Sequence, residues 1–140
     1  MPVDYSGQDL RDRDFSGQDL IRATLSGANL TYANLFGANL TTARLDAATL
    51  SGANLSSADL TGANLSGADL TGANLSNANL SNANLSGADL GNANLSNATL
   101  RDADLTGAVR PGPGAVRRPG ISRADMEGVN GLDTVKGLVD

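Results

Sequence analysis

The sequence contains no cysteine, no histidine and no tryptophan, and only 3% of its residues are aromatic. Disulfides, thiol chemistry and imidazole general bases are therefore excluded, and the serines and threonines have no base beside them in the sequence. The aspartates do not follow the spacing of a calcium-binding loop, and no His/Cys cluster could hold zinc. We therefore expect no enzymatic activity, no metal ion and no cofactor.

The chain also lacks any long hydrophobic run. No stretch approaches the ~20 apolar residues of a transmembrane helix, so no membrane contact is expected. Residues Met1 to Tyr5 show neither the basic region nor the apolar run of a secretory signal, which predicts a cytoplasmic protein. The net charge of −5 argues against direct nucleic-acid binding through a basic face.

What the chain does contain is a repeat of five residues. Every fifth residue from Leu20 to Leu105 is leucine, and alanine stands two places before each leucine from Ala23 to Ala103, with Ala108 beyond. The residue between them is Asn, Asp or Thr, with Arg44 as the one exception. Mostly Ser or Thr and then Gly or Asn fill the other two places.

A period of five fits neither a helix nor a plain strand. Within one unit, alanine and leucine lie two residues apart and so share one face of an extended segment. The following Ser-Gly or Ser-Asn favours a type II turn, because its second central residue needs a positive φ. A short strand and a turn repeated without interruption predict a solenoid with alanine and leucine inside.

The repeat resembles that of the pentapeptide repeat protein family, whose unit begins Ala-Asn-Leu-Ser, as at Ala53–Ser56. The resemblance extends from residue 3 to about residue 108. It implies an all-β fold, a right-handed quadrilateral parallel β-helix with four units in each coil, of about five coils. It also implies that leucine points inward as the central residue, with alanine inward beside it.

The two ends depart from the repeat. We predict a β-helix over residues 1–109, with 1–20 as an N-terminal capping coil, because terminal repeats must close the core. Gln8, Arg13 and Gln18 stand there in alanine places, and a polar ligand pocket is the alternative interpretation. A Pro/Gly loop is predicted over residues 110–120. Over residues 121–140 we predict a C-terminal cap with a short helix, and a disordered tail is the alternative.

Four outward residues are candidate partner contacts. Tyr32 and Phe36 are aromatic residues on a Ser/Asn-rich surface, on adjoining sides if a coil takes 20 residues. In the same register Asp69 and Asp89 are neighbours roughly 5 Å apart. The register also aligns four asparagines and permits a ladder of their side-chain amides; they are Asn34, Asn54, Asn74 and Asn94.

Three functions remain open. The first is a non-enzymatic binding or scaffolding solenoid with an unknown protein partner, as a monomer or weak dimer. The second follows from the resemblance, since acidic members of the family mimic DNA and modulate DNA gyrase in quinolone resistance. The third is an ice-binding face of outward hydroxyls at Thr31, Ser51 and Thr71, a column that Arg11 and Gly91 interrupt.

Overall fold

The chain coils into a right-handed quadrilateral β-helix, as described by a computed structural model. The structure describes residues 1–110, 120–122, 126 and 128–139. Parallel bridges join residues 20 apart from Asp4↔Thr24 to Asp89↔Val109, so four units make one coil. We number the four sides by the first bridged residue of each, and sides one to four begin at Asp4, Asp9, Asp14 and Asp19. The predicted fold class is confirmed.

The regular elements are very short. Each side of a coil contributes a single bridged residue between two turns, and the described part of the chain contains no longer strand. The described residues include a 3-10 helix at Leu132–Thr134. The solenoid therefore depends on bonds between coils rather than on long elements within one coil.

The corners are type II turns. In each one the N–H of the alanine donates to the carbonyl of the leucine three residues earlier, as Ala63 does to Leu60 at 3.0 Å. The second central residue has positive φ, for example 68° at Gly62 and 60° at Asn77. This geometry explains why Gly and Asn recur there, because both tolerate the left-handed region.

Thr42 occupies one of these positive-φ positions, with φ 55°. A β-branched residue is strained in this region, where an L-residue loses roughly 1–2 kcal/mol. We expect Thr42→Gly to raise the unfolding free energy by about 0.5–1 kcal/mol, the relief of strain exceeding the entropy cost of glycine. Urea unfolding should show a higher midpoint with an unchanged slope.

Gly72→Ala provides the reverse control for this prediction. Gly72 has φ 68°, and a Cβ built there meets no atom within 4 Å. The substitution therefore adds backbone strain without a clash, and the midpoint should fall. Equal midpoints for the wild type and both variants would show that the corners bear no such strain.

The interior consists of alanine and leucine in fixed alternating places. Every alanine of the series from Ala23 to Ala108 and every leucine from Leu20 to Leu105 is at most 5% exposed. Because residues 20 apart are stacked, alanine lies on alanine and leucine on leucine along each side. Burial at roughly 25 cal/mol per Å² of apolar surface makes these columns the main source of stability.

The N-terminal coil closes the core with aromatic residues. The rings of Tyr5 and Phe15 lie 5.8 Å apart between centroids, tilted by 55°, and Phe15 is buried. Gln8, Arg13 and Gln18 are exposed, and they do not line the cavity at this end, which is bounded by Met1, Pro2, Val3, Asp19, Leu20, Ile21 and Arg22. The geometry thus gives no support to the alternative interpretation, a polar ligand pocket at these three residues.

All four bridged residues of the first coil are aspartates. In the second coil Asn29 N–H donates back to the carbonyl of Gln8, so the equivalent N–H groups of these aspartates point away from the second coil. Charged side chains on an exposed edge discourage pairing with another chain. The four carboxylates therefore disfavour strand pairing at this edge.

The C-terminal residues lie across the last coil. Leu100 N–H donates to the carbonyl of Asn130 at 2.9 Å, and Leu105 N–H donates to that of Lys136 at 2.8 Å. Two further residues of this segment are fully buried against the leucine columns, namely Ile121 and Met126. These described residues add a partial coil that satisfies the backbone donors of the last one.

The predicted division into 1–109, 110–120 and 121–140 stays a prediction. Most of the predicted Pro/Gly loop, residues 111–119, lies outside the described residues. Within the part of the chain that the structure describes, no helix is long and apolar enough to cross a membrane.

Candidate functional site

The outward Asn and Asp residues have a structural task at almost every corner. Their Oδ1 accepts the backbone N–H two residues later, as Asn54 does from Ser56 at 3.0 Å and Asp69 from Thr71 at 3.0 Å. Such Asx turns fix the chain as it enters the corner. Asn and Asp supply the same Oδ1 acceptor, so the turn accepts either residue. The two differ only in the charge that they give to the surface.

Asp69 and Asp89 lie in neighbouring coils on side two, where they form a parallel bridge. Each accepts the N–H two residues on, Asp69 from Thr71 and Asp89 from Gly91 at 2.9 Å. One carboxylate oxygen of each is thereby used within the chain. Both residues are half-buried on the surface of side two.

Tyr32 and Phe36 stand at the two corners that flank side three in one coil. Their side chains are 69% and 50% exposed. The ring of Tyr32 lies across Gly52 of the next coil, so that a Cβ at that glycine would meet the ring carbons. The ring is therefore held against the surface although most of it faces solvent.

The structure brings these four residues together only in pairs. Tyr32 stands at the corner shared by sides two and three, so it borders the side of Asp69 and Asp89. Phe36 stands at the far corner of side three. A partner that touched all four residues would have to extend around one corner of the solenoid.

The asparagine column on side three forms without the amide ladder. Bridges join Asn34 to Asn54, Asn54 to Asn74 and Asn74 to Asn94, as the register predicts. Each Oδ1 instead accepts the N–H two residues later, at about the same distance in all four. Within residues 1–110 no amide of this column bonds to the next, because the Asx turns take the oxygens.

Sequence reasoning missed this task of the Asn and Asp side chains. The signal was present, since Asn or Asp stands two places before Ser or Thr through most of the repeat. Hydroxyls add to it, as Ser56 Oγ donates to Asn54 Oδ1 at 2.6 Å. An outward position can thus be strongly restricted without any partner.

Arg11 controls the ionisation of Asp9 at the N-terminal coil. Its Nε donates to Asp9 Oδ1 at 2.8 Å and its Nη2 donates to Oδ2 at 2.7 Å. These side-chain bonds, with the backbone N–H of Arg11, lower the pKa of Asp9 from 3.8 to about 2. Because the pKa falls on folding, this stabilisation is present above the unfolded pKa and is lost as pH falls from about 4 to about 2.

We expect Arg11→Gln to raise the pKa of Asp9 back toward its usual range. Carboxyl-carbon NMR titration measures this directly. Asp14 serves as the internal reference, because the side chain and backbone of Ser16 hold its pKa low without any arginine. An Asp9 pKa that stays near 2 in the variant would show that Arg11 is not the cause.

No group of three or more His, Cys, Asp or Glu side chains in the described residues is arranged to hold a metal ion. The surface presents an ordered array of amides, hydroxyls and carboxylates. They form columns whose successive members lie in adjacent coils. Such an all-β solenoid belongs to the class of repeat proteins in which each coil packs on its neighbours.

The sequence profile of the family described as Pentapeptide repeats matches the chain in eight copies, over residues 9–46, 38–77 and 78–109. The chain belongs to the pentapeptide repeat family. The family predicted from the repeat is therefore confirmed. No curated protein sequence matches the chain.

Similar solved structures include a pentapeptide repeat protein of the Arabidopsis thaliana thylakoid lumen, with 41% identity, 74% of this chain and 66% of that chain covered, and a TM-score of 0.40. Rfr23 from the cyanobacterium Cyanothece 51142 has 34% identity, coverages of 69% and 83%, and a TM-score of 0.38. QnrB1, a plasmid-mediated fluoroquinolone resistance protein, has 22% identity, coverages of 77% and 74%, and a TM-score of 0.43.

At these TM-scores the three likenesses carry no argument about what this chain binds. The first of the similar proteins comes from a thylakoid lumen. The cytoplasmic compartment of this chain stays a prediction.

Proposed function

We propose that the chain is a non-enzymatic binding or scaffolding solenoid with a protein partner. The observation that supports this function is the surface itself, where backbone bonds between coils hold the outward side chains at a constant spacing. A preformed array binds with little loss of conformational entropy. The family supports the same function, because repeat solenoids use such surfaces for recognition.

The contact surface in this proposal is centred on Asp69 and Asp89 on side two. Tyr32 borders that side and offers an aromatic anchor, a residue type enriched at interfaces. Phe36 belongs to the contact only where the partner reaches around side three. A partner that meets the carboxylates would present Lys or Arg, since opposite charges across an interface fix its orientation.

The test keeps the fold and changes only the charge. Asp69→Asn with Asp89→Asn retains the Oδ1 acceptors of both Asx turns. Cross-linking in lysate of the source cell, read by mass spectrometry, should map one partner to side two in the wild type and lose it in this variant. Asp59→Asn on side four is the matched control and should retain the partner. Equal capture by all three proteins would refute the surface.

DNA mimicry of the gyrase substrate finds less support on this surface. Duplex DNA presents one charge per ~1.7 Å of its axis. Each side of the solenoid has one bridged residue per coil, so these residues offer at most one charge per ~4.8 Å. Asp59 lies on side four and Asp69 and Asp89 on side two, so these acids do not share one face. The charge density is therefore too low and too scattered for a close mimic.

We therefore expect no inhibition of gyrase supercoiling at low micromolar protein and no relief of quinolone poisoning. The assays are DNA supercoiling and quinolone-stabilised cleavage with purified gyrase. Clear activity in either assay that disappears in the Asp69→Asn, Asp89→Asn variant would favour the mimic over the scaffold.

A further inference from the structure

Side three carries no charged residue in the four coils between residues 31 and 97. None of residues 31–37, 51–57, 71–77 and 91–97, which form this side and its two corners, is charged. Each other side carries charge in this region, at Arg44, at Asp69 and Asp89, and at Asp59. Asp14 bounds the neutral surface at one end, and the guanidinium of Arg110, which donates to the carbonyl of Ala93 at 3.2 Å, bounds it at the other.

The asparagine column of this side presents hydrogen-bond donors to solvent. The Oδ1 atoms are engaged in the Asx turns, so the Nδ2 groups of Asn54 and Asn74 remain as donors, and within residues 1–110 none of them meets an acceptor. Beside them, Ser56 and Ser76 donate their hydroxyl protons to the same oxygens, which leaves the hydroxyl lone pairs as acceptors. Donors and acceptors thus alternate across the side and repeat with every coil.

Two aromatic rings stand at one end of this surface. Tyr32 and Phe36 flank the neutral surface in residues 31–37, and they are 69% and 50% exposed. The ring of Tyr32 is supported by Gly52 beneath it. Exposed aromatic rings that are held in place offer flat apolar faces to a ligand at small cost in side-chain entropy.

We propose that side three binds an extended, uncharged carbohydrate chain of the β-1,4-linked hexopyranose type. Sugar hydroxyls both donate and accept, which matches the alternating amides and hydroxyls, and the C–H face of a pyranose ring packs on an aromatic ring. One such sugar residue advances by close to the length of one coil. Four coils at ~4.8 Å span about 19 Å, enough for a few sugar residues.

Other occupants fit this surface less well. An extended peptide rises 3.2–3.4 Å per residue, so carbonyls on one side recur at about 6.7 Å and do not match a donor in every coil at ~4.8 Å. Anionic polymers are opposed by the net charge of −5.

The test is affinity electrophoresis in native gels that contain hydroxyethylcellulose, with alginate gels as the anionic comparison. Asn54→Asp with Asn74→Asp keeps each Asx acceptor and removes two outward donors. Asn64→Asp with Asn84→Asp makes the same change in charge on side one, where both residues also accept in Asx turns. Tyr32→Gly with Phe36→Ser returns both corners to the residues common in the repeat.

We expect retardation of the wild type by hydroxyethylcellulose and not by alginate. The side-three pair should weaken retardation about tenfold, since it removes two hydrogen-bond donors, and the aromatic pair should weaken it similarly. The side-one pair should stay within about twofold of the wild type. The two asparagine pairs leave the proposed protein contact on side two unaltered, because they change none of Tyr32, Asp69 and Asp89.

Three outcomes would overturn the proposal. No retardation of the wild type by the neutral glucan excludes the ligand. Equal weakening by the side-one and side-three pairs assigns the effect to charge alone. A self-association of the wild type in sedimentation velocity that disappears in the Tyr32→Gly, Phe36→Ser variant makes a second copy the occupant of side three.

Discussion

Replacement of Ala73 by leucine should lower the free energy of unfolding by about 1–3 kcal/mol, the usual cost of overpacking a filled core. Ala73 is fully buried in a column where the alanines of neighbouring coils lie above and below it. Asn74 N–H donates to the carbonyl of Ala53, and Asn94 N–H donates to the carbonyl of Ala73, both at 2.9 Å, so the coils cannot separate to make room. Urea unfolding measures the loss.

The control for this variant lies on the outer surface. Ser66→Ala removes a hydroxyl that makes no hydrogen bond in the structure, while the Ser66 N–H keeps its bond to Asn64 Oδ1 at 3.0 Å. This change should leave the unfolding midpoint within about 0.5 kcal/mol of the wild type. If Ala73→Leu lowers the free energy of unfolding no more than Ser66→Ala does, the alanine column does not lie in the interior.

Gly137→Ala should release the C-terminal residues from the last coil. Gly137 has φ 88°, and a Cβ built there would collide with the backbone of Leu105 and Thr106. Backbone atoms cannot move aside as a flexible side chain can, so the bond from Leu105 N–H to Lys136 should break. The exposed edge would then pair with other chains. We expect faster exchange of the Leu105 amide and concentration-dependent association in sedimentation velocity.

Gly128→Ala separates the clash from the backbone strain. Gly128 has φ 82°, but a Cβ there meets no atom within 4 Å. This variant should lose a little stability through strain alone and stay a monomer with a protected Leu105 amide. If the two variants exchange and sediment alike, close approach at Gly137 does not hold the segment in place.

The repeat predicts most of the solenoid because each place in the unit has one physical requirement. The inward places of Ala73 and Leu75 must fill a fixed volume, and the turn place of Gly72 must accept positive φ. These requirements recur in every unit, so spacing alone reveals them. The number of units in a coil came from the family resemblance, since five-residue spacing does not state how many corners close a circuit.

The surface was harder to predict because its residues serve two purposes. Asp69 is an Asx acceptor and also a charged surface group, and a sequence shows only that Asp is present. The neutral side around Asn54 becomes visible only after the chain is wound in steps of 20 residues. The C-terminal residues depart from the repeat, so the close approach of Gly137 to Thr106 left no periodic signal.

The register of the coils is tested most directly by NMR couplings across hydrogen bonds. In the structure the amide of each leucine from Leu20 to Leu90 donates to the carbonyl 19 residues later, as Leu65 does to Asn84 at 2.6 Å and Leu70 to Asp89 at 2.8 Å. Correlations between the leucine nitrogens and these carbonyl carbons should therefore run through the repeat at this one separation. For the leucines from Leu20 to Leu90, correlations at any other separation would contradict a four-sided coil and the columns that define sides two and three.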